Sequence, residues 1–192
     1  SASEPRVSVV VPCYLTGPRV SEVVAELDRA FAEISGEWEA VLVDDASPDE
    51  QTWPTITHEV SGNHRVVGIQ LMSRSGQFAA TLCGLSAARG EIIVTMDDDL
   101  SHRPDQIHLL ISSLTDAPEL DAVIATYHQR HRRKHRRMGS WIYRWLLRRA
   151  FGLPSDLVLT GFRALRRPLA KALLSHGTRR PQFGALLLQT TK

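Results

Sequence analysis

Over the first 127 residues, short runs rich in valine and isoleucine alternate with stretches of helical periodicity. The runs are Val7–Val11, Ala40–Val43, Val66–Leu71, Glu91–Met96 and Ala122–Tyr127. Each is strand-sized, and near-continuous apolar runs belong to a sheet buried on both faces. In 20–34, residues Val23, Val24, Leu27, Phe31 and Ile34 recur at three and four. The same spacing links Phe78, Leu82, Leu85 and Ala88 in 77–89, and Ile107, Leu110, Ile111 and Leu114 in 104–114. Pro104 suits the first turn of the last of these helices. Alternating strands and helices predict a largely parallel α/β sheet with right-handed connections. Ligands of such sheets bind beyond the carboxyl ends of the strands.

With 192 residues, 43% hydrophobic and 23% charged, the chain suits one soluble domain with a full core. No run approaches the roughly 18 apolar residues of a membrane-spanning helix, and no signal-peptide pattern precedes the first strand. Cys13 and Cys83 make no disulfide framework, so a reducing, intracellular setting is expected. The net charge of +2 conceals a division. Residues 1–121 hold 7 Lys/Arg against 20 Asp/Glu, whereas 122–192 hold 16 Lys/Arg against Asp156 alone. That asymmetry points to an anionic partner for the second part. Its first segment, 129–137, carries Arg130, Arg132, Arg133, Lys134, Arg136 and Arg137. An amphipathic helix over 138–151 follows, with Met138, Trp141, Ile142, Trp145 and Leu146 on one face. A short strand or turn around 157–165 and helical pieces at 168–175 and 181–191 complete the reading. His128, His131 and His135 read as solvated loop residues, because no further Cys or His set completes a zinc site.

The strand-end rule picks out Pro12-Cys13-Tyr14, Asp44-Asp45-Ala46-Ser47-Pro48-Asp49 and Asp97-Asp98-Asp99. Consecutive carboxylates at the end of a buried strand repel one another unless a cation or hydrogen-bond donors offset the charge. Along a strand Asp97 and Asp99 share one side, and two oxygen ligands there suit Mg²⁺ or Mn²⁺ completed by substrate phosphate. A solvated acidic turn, with Asp99 or Ser101 as a helix cap, is the competing reading. Asp44 to Asp49 equally suits Asx turns or caps. No G-x-G-x-x-G or G-x-x-x-x-G-K-[ST] loop is present, against dehydrogenase and P-loop readings.

Together, Val9-Val10-Val11-Pro12-Cys13-Tyr14, Val43 to Asp49 and Met96 to Pro104 follow the order and spacing of family 2 glycosyltransferases. With Ser155-Asp156 and Thr160-Gly161-Phe162-Arg163, the chain resembles the dolichol-phosphate mannose synthase and polyprenyl-phosphate glycosyltransferase branch over roughly residues 6–175. The resemblance implies a GT-A fold, a GDP- or UDP-linked sugar donor, Mg²⁺ or Mn²⁺, and a dolichyl or undecaprenyl phosphate acceptor. It further implies that Pro12, Tyr14, Val43 and Asp45 line the nucleoside pocket. Asp97, Asp98 and Asp99 would form the D-x-D element contacting ribose, metal and diphosphate, with Asp97 and Asp98 binding the nucleotide sugar, Asp97 and Asp99 on the metal and in catalysis, and Arg163 near acceptor or diphosphate. The chain departs from the pattern at Thr16, where the family has an acid, and at Asp98, where it has a small residue. Tyr127 falls at an acceptor-binding Arg, a role that passes to Arg130. The family's basic segment beyond position 192 is absent, so an incomplete catalytic domain is expected.

The whole chain is expected to be one GT-A catalytic domain, with 1–127 binding the donor and 128–192 facing acceptor and membrane. The implied reaction inverts the anomeric carbon, and a phosphate acceptor needs no general base. Arginines beside Trp141 and Trp145 suit an anionic headgroup layer, giving peripheral contact with the cytoplasmic face of a membrane. Two alternatives remain open: a non-catalytic sugar-nucleotide binder, and a nucleic-acid module on residues 128–149. Nucleic acid is not the expected partner, since that reading leaves the aspartates unexplained.

Overall fold

The computed structural model describes residues 4–34, 36–126 and 159–175. Its strands are β1 (Val7–Cys13), β2 (Trp38–Asp44), β3 (Val66–Gln70), β4 (Ile92–Thr95), β5 (Ala122–Thr126) and β6 (Leu159–Arg166). The helices are α1 (Arg19–Ala32), α2 (Thr52–Gly62), α3 (Gln77–Ala87), α4 (Ile107–Asp116) and α5 (Arg167–Ser175). A single sheet runs in the order β3-β2-β1-β4-β6-β5. β1 pairs in parallel with β2 and β4, β2 pairs in parallel with β3, and β6 is antiparallel to both β4 and β5. The expected α/β, mainly parallel sheet is thus what forms.

Strand alternation divides the core into two layers. Val7, Val9 and Val11 of β1 pack with Val23, Leu27 and Phe31 of α1 and with Ile107 and Leu114 of α4. On the other face, Val10, Val41 and Val43 meet Ala80 and Leu85 of α3 and Leu169 and Leu173 of α5. Every residue of β1 and β2 is buried, which is why these strands read as near-continuous apolar runs. Each such valine contributes about 1.5–3 kcal/mol of transfer free energy, enough to fix these strands at the centre of the sheet.

The chain order reverses across β1 and β4, the switch point at which sheets of this kind form a crevice beyond the carboxyl ends of the strands. Helix α2 has no counterpart in the sequence reading. Only Thr52 and Ile56 of it are buried, so there was little periodicity to detect. β6 and α5 fall close to the expected 157–165 and 168–175. The basic segment 129–137 with Arg130, the helix expected over 138–151, the three histidines and the helix expected at 181–191 lie outside the described residues. No helix among the described residues is long and apolar enough to cross a membrane.

At the opposite end of the sheet a buried charge is neutralised. The Glu39 side chain is 2% exposed and accepts hydrogen bonds from Ser8 Oγ at 2.7 Å and from the Arg89 backbone at 2.8 Å. Arg89 Nε and Nη2 close on Glu39 Oε2 at 2.9 and 2.6 Å. Removing the arginine would leave a carboxylate buried with only neutral donors. Because the arginine side chain is itself 60% exposed, Arg89→Ala is expected to cost about 2 kcal/mol in urea unfolding, the scale of hydrogen bonds to a charged group. Arg103→Ala, which breaks an exposed pair with Asp105, should cost less than about 1 kcal/mol. Equal losses would contradict this account.

Candidate functional site

Three strand ends meet at the crevice, and each is followed by a residue in the left-handed region. Leu15 (φ 56°), Ala46 (φ 51°) and Leu100 (φ 55°) are the non-glycine residues there with positive φ among those described. Such conformations cost about 1–3 kcal/mol each and persist where surrounding contacts fix them. Here they let the chain turn sharply off β1, β2 and β4 while the polar residues stay at the edge.

The three aspartates after β4 occupy different surroundings. Asp97 lies opposite the Gly161 end of β6, because the antiparallel register pairs Thr95 with Arg163. A Cβ at Gly161 would stand 2.5 Å from Asp97 Oδ1, so any other residue there would displace the carboxylate from this position. On its other side the Gln77 amide donates to Asp97 Oδ1 at 2.5 Å. Burial, and then the charge of Asp99, push the Asp97 carboxyl above the ordinary range, against His102 and Gln77. Asp99 is exposed. Its partial burial acts upward, but hydrogen bonds from Ser101, including the backbone N–H at 2.9 Å, hold it below the ordinary range. Asp98 turns the other way, and its Oδ2 accepts the Tyr14 N–H at 3.3 Å and the Thr16 hydroxyl.

Arg163 comes from β6 and is half-buried beside Asp97. Burial lowers its pKa to about 10 while Asp97 opposes the shift, so the guanidinium stays charged at neutral pH. His102 is 5% exposed and stacks on Phe162 at 5.0 Å. Burial lowers its pKa, and Asp97 and Asp99 draw it back up.

On the β1 side the Tyr14 ring is half-buried, with the Arg74 guanidinium 4.3 Å above its centroid. Asp45 is 3% exposed, and its two oxygens accept the backbone N–H groups of Ser75 (2.7 Å) and Gly76 (2.8 Å) at the start of α3. Gly76, at φ 90°, allows this turn. Asp44 accepts from the Ser47 backbone and the Gln70 amide. Pro12 and Val43 are paired across β1 and β2 and are buried. The Val43 side chain belongs to the core beneath α3, so any part it plays at the pocket falls to its backbone. Cys13 is buried, and desolvation with the charges of Asp98 and Asp44 pushes its thiol far up, which makes it unreactive.

Arg74 and Gln77 were missed in the sequence. The available signal was a basic residue in a strand-to-helix turn, Ser73-Arg74-Ser75-Gly76, within a half of the chain that has few basic residues. Arg130 lies outside the described residues, so its relation to this site stays a proposal.

Two carboxylates that feel one another's charge offer the hard oxygen donors a divalent ion takes. No group of three or more His, Cys, Asp or Glu side chains converges among the described residues. Two carboxylates alone do not complete a shell, so an ion held there would take its remaining positions from substrate phosphate and water, the usual habit of Mg²⁺.

Comparison with known proteins agrees with this fold. The family described as glycosyl transferase family 2 matches residues 8–174. An undecaprenyl-phosphate 4-deoxy-4-formamido-L-arabinose transferase of Salmonella choleraesuis is 28% identical over 169 residues, covering 88% of this chain and 51% of that protein. The chain thus spans about half the length of the curated relatives it matches. A mannosyltransferase of Pyrobaculum calidifontis, solved with GDP-Man and Mn²⁺, superposes with a TM-score of 0.62 at 25% identity, covering 98% of this chain and 51% of that one. Glucosyl-3-phosphoglycerate synthase of Mycobacterium tuberculosis, solved with Mn²⁺, UDP-glucose and phosphoglyceric acid, gives 0.64 at 21% identity over 86% and 58% of the two chains. That last likeness speaks for the shared GT-A fold.

The raised Asp97 pKa means that the folded chain holds this proton more tightly than the unfolded chain does. Ionised Asp97 therefore weakens the metal-free fold at neutral pH. Asp97→Asn is expected to raise the metal-free melting temperature at pH 7. The advantage should shrink as pH falls through the carboxylate range, where the native side chain takes up its proton. A variant less stable than the parent at pH 7 would overturn this assignment.

Proposed function

Because the chain belongs to glycosyl transferase family 2, we propose that it transfers a sugar from a nucleoside diphosphate sugar to a polyprenyl phosphate, with inversion at the anomeric carbon. The observation that carries this reading is the juxtaposition at one crevice of Tyr14 under Arg74, the Asp97–Asp99 pair and the charged Arg163. An aromatic face suits a nucleobase, the carboxylate pair suits a metal–diphosphate, and an arginine suits phosphate oxygens. The relatives named for undecaprenyl phosphate support the choice of acceptor.

Asp97 and Asp99 would hold Mg²⁺ or Mn²⁺, which when bound offsets charge on the leaving diphosphate. Gln77 and Gly161 keep Asp97 aimed at that position. Tyr14 and Arg74 orient the nucleoside at the β1 edge. Arg163 stays protonated and balances phosphate charge from the β6 side. One oxygen of the acceptor phosphate forms the new bond to the anomeric carbon. The bond from that carbon to the diphosphate oxygen breaks, and its electron pair departs with the nucleoside diphosphate. The acceptor monoester is already anionic near neutral pH, so no side chain has to remove a proton from it.

The basic segment with Arg130 is proposed to bring the chain to an anionic membrane surface on the cytoplasmic side, where the acceptor's phosphate lies. Docking there needs no spanning helix.

Incubation with GDP- and UDP-linked sugars, Mn²⁺ and a short polyprenyl phosphate should yield a lipid-linked sugar and one nucleoside diphosphate. Asp99→Asn should lower turnover by about a hundredfold or more, on the scale of losing one electrostatic contact to the leaving group. Full metal-dependent turnover in that variant would remove Asp99 from the mechanism.

A further inference from the structure

We propose that Asp98 is a positioning residue: with Thr16 it latches the turn after β1 to the end of β4, and so sets the place of Tyr14. This role rests on the donor-site reading of Tyr14 given above.

Four side-chain hydrogen bonds hold the turn Tyr14-Leu15-Thr16-Gly17. Asp98 Oδ2 accepts the Tyr14 N–H at 3.3 Å and the Thr16 hydroxyl. Ser47 Oγ, after β2, accepts the Leu15 N–H at 3.0 Å. Thr52 Oγ1, the first residue of α2, accepts the Gly17 N–H at 2.9 Å, and is itself held by Asp49 Oδ2 at 2.8 Å. Leu15 (φ 56°) and Gly17 (φ 55°) are both left-handed, so the backbone has no regular ladder of its own to satisfy these groups. Thr16 is 6% exposed, and its hydroxyl needs a protein acceptor because little water reaches it. Asp98 supplies that acceptor from across the crevice.

The direction of the three aspartates supports the division of labour. Asp97 faces Gln77 and Gly161, and Asp99 is fixed by Ser101, whereas Asp98 has turned its Oδ2 toward β1. A carboxylate oxygen already accepting two donors is a poor further ligand for a ribose hydroxyl. The contacts of Oδ2 run to the Tyr14 turn, so its effect on a nucleotide passes through the backbone of Tyr14, whose ring stands under Arg74. The two departures from the family pattern noted at Thr16 and Asp98 are thus one device, a hydroxyl donor and its acceptor.

The test combines calorimetric binding of GDP and UDP with Mn²⁺ and amide hydrogen exchange over residues 12–18, on the full 192-residue chain. Thr16→Val keeps the shape without the hydroxyl. It should weaken nucleotide binding about tenfold, the weight of one hydrogen bond to a charged group, and speed exchange at Tyr14 and Leu15. Asp98→Ala should do the same, and the double variant should bind no worse than Asp98→Ala alone. Asp98→Asn, which keeps an accepting oxygen, should stay within about threefold of the parent. Unchanged exchange in Thr16→Val overturns the latch whether or not a nucleotide binds. So does an Asp98→Asn loss equal to that of Asp98→Ala, which would mean that the charge itself touches the ligand. If the parent chain binds neither nucleotide, the donor reading fails and the exchange result still decides the latch.

Discussion

The parallel pairing of β1 with β2 on one side and β4 on the other is the constraint from which the site follows. Parallel strands carry all their carboxyl ends to one edge, so Tyr14, Asp45 and the Asp97–Asp99 run become neighbours although they are far apart in the chain. The antiparallel strand β6 then brings Gly161 and Arg163 to the same edge from the opposite direction. Hydrophobic burial fixes this arrangement, since β1 and β2 have no exposed residue. The polar edge contributes little to holding the sheet together. Its cost, raised carboxyl pKa and left-handed turns, is met by the core beneath it.

Within that edge, neighbouring aspartates are made different by their surroundings. Asp97 is half-buried, pressed by the charge of Asp99 and packed against residue 161, which lacks a Cβ. Asp99 is exposed and kept ionised by Ser101. Asp98 turns to the β1 side and is tied to the Tyr14 turn. Asp45 also sits at a strand end, yet it is closed off by two backbone N–H groups of the turn before α3. Four carboxylates of one residue type thus divide into a pair suited to a cation and two that organise loops.

The sheet was legible in the sequence because strands buried on both faces are apolar at nearly every position. The two-sided core also left clear periods in α1 and α4. Helix α2 was not legible, since so little of it is buried. At the site, the aspartates were visible as an unusual density of charge at strand ends. What each contacts was not, because side-chain direction depends on the β6 register and on turns whose left-handed residues, Leu15, Ala46 and Leu100, carry no glycine signal. Arg74 escaped notice for a related reason. Its value lies in its position above Tyr14, and the two residues are brought together only by the sheet.

The central claim is that Asp97 and Asp99 hold a divalent ion between a nucleoside seated near Tyr14 and the phosphate-facing Arg163. The most direct test is a crystal grown with Mn²⁺ and GDP or UDP, with an anomalous difference map collected for manganese. The account expects one peak within coordination distance of Asp97 and Asp99, bridged to the diphosphate, with the base against Tyr14. A nucleotide bound away from the β1–β4 crevice, or one bound within it without manganese at these aspartates, would contradict it.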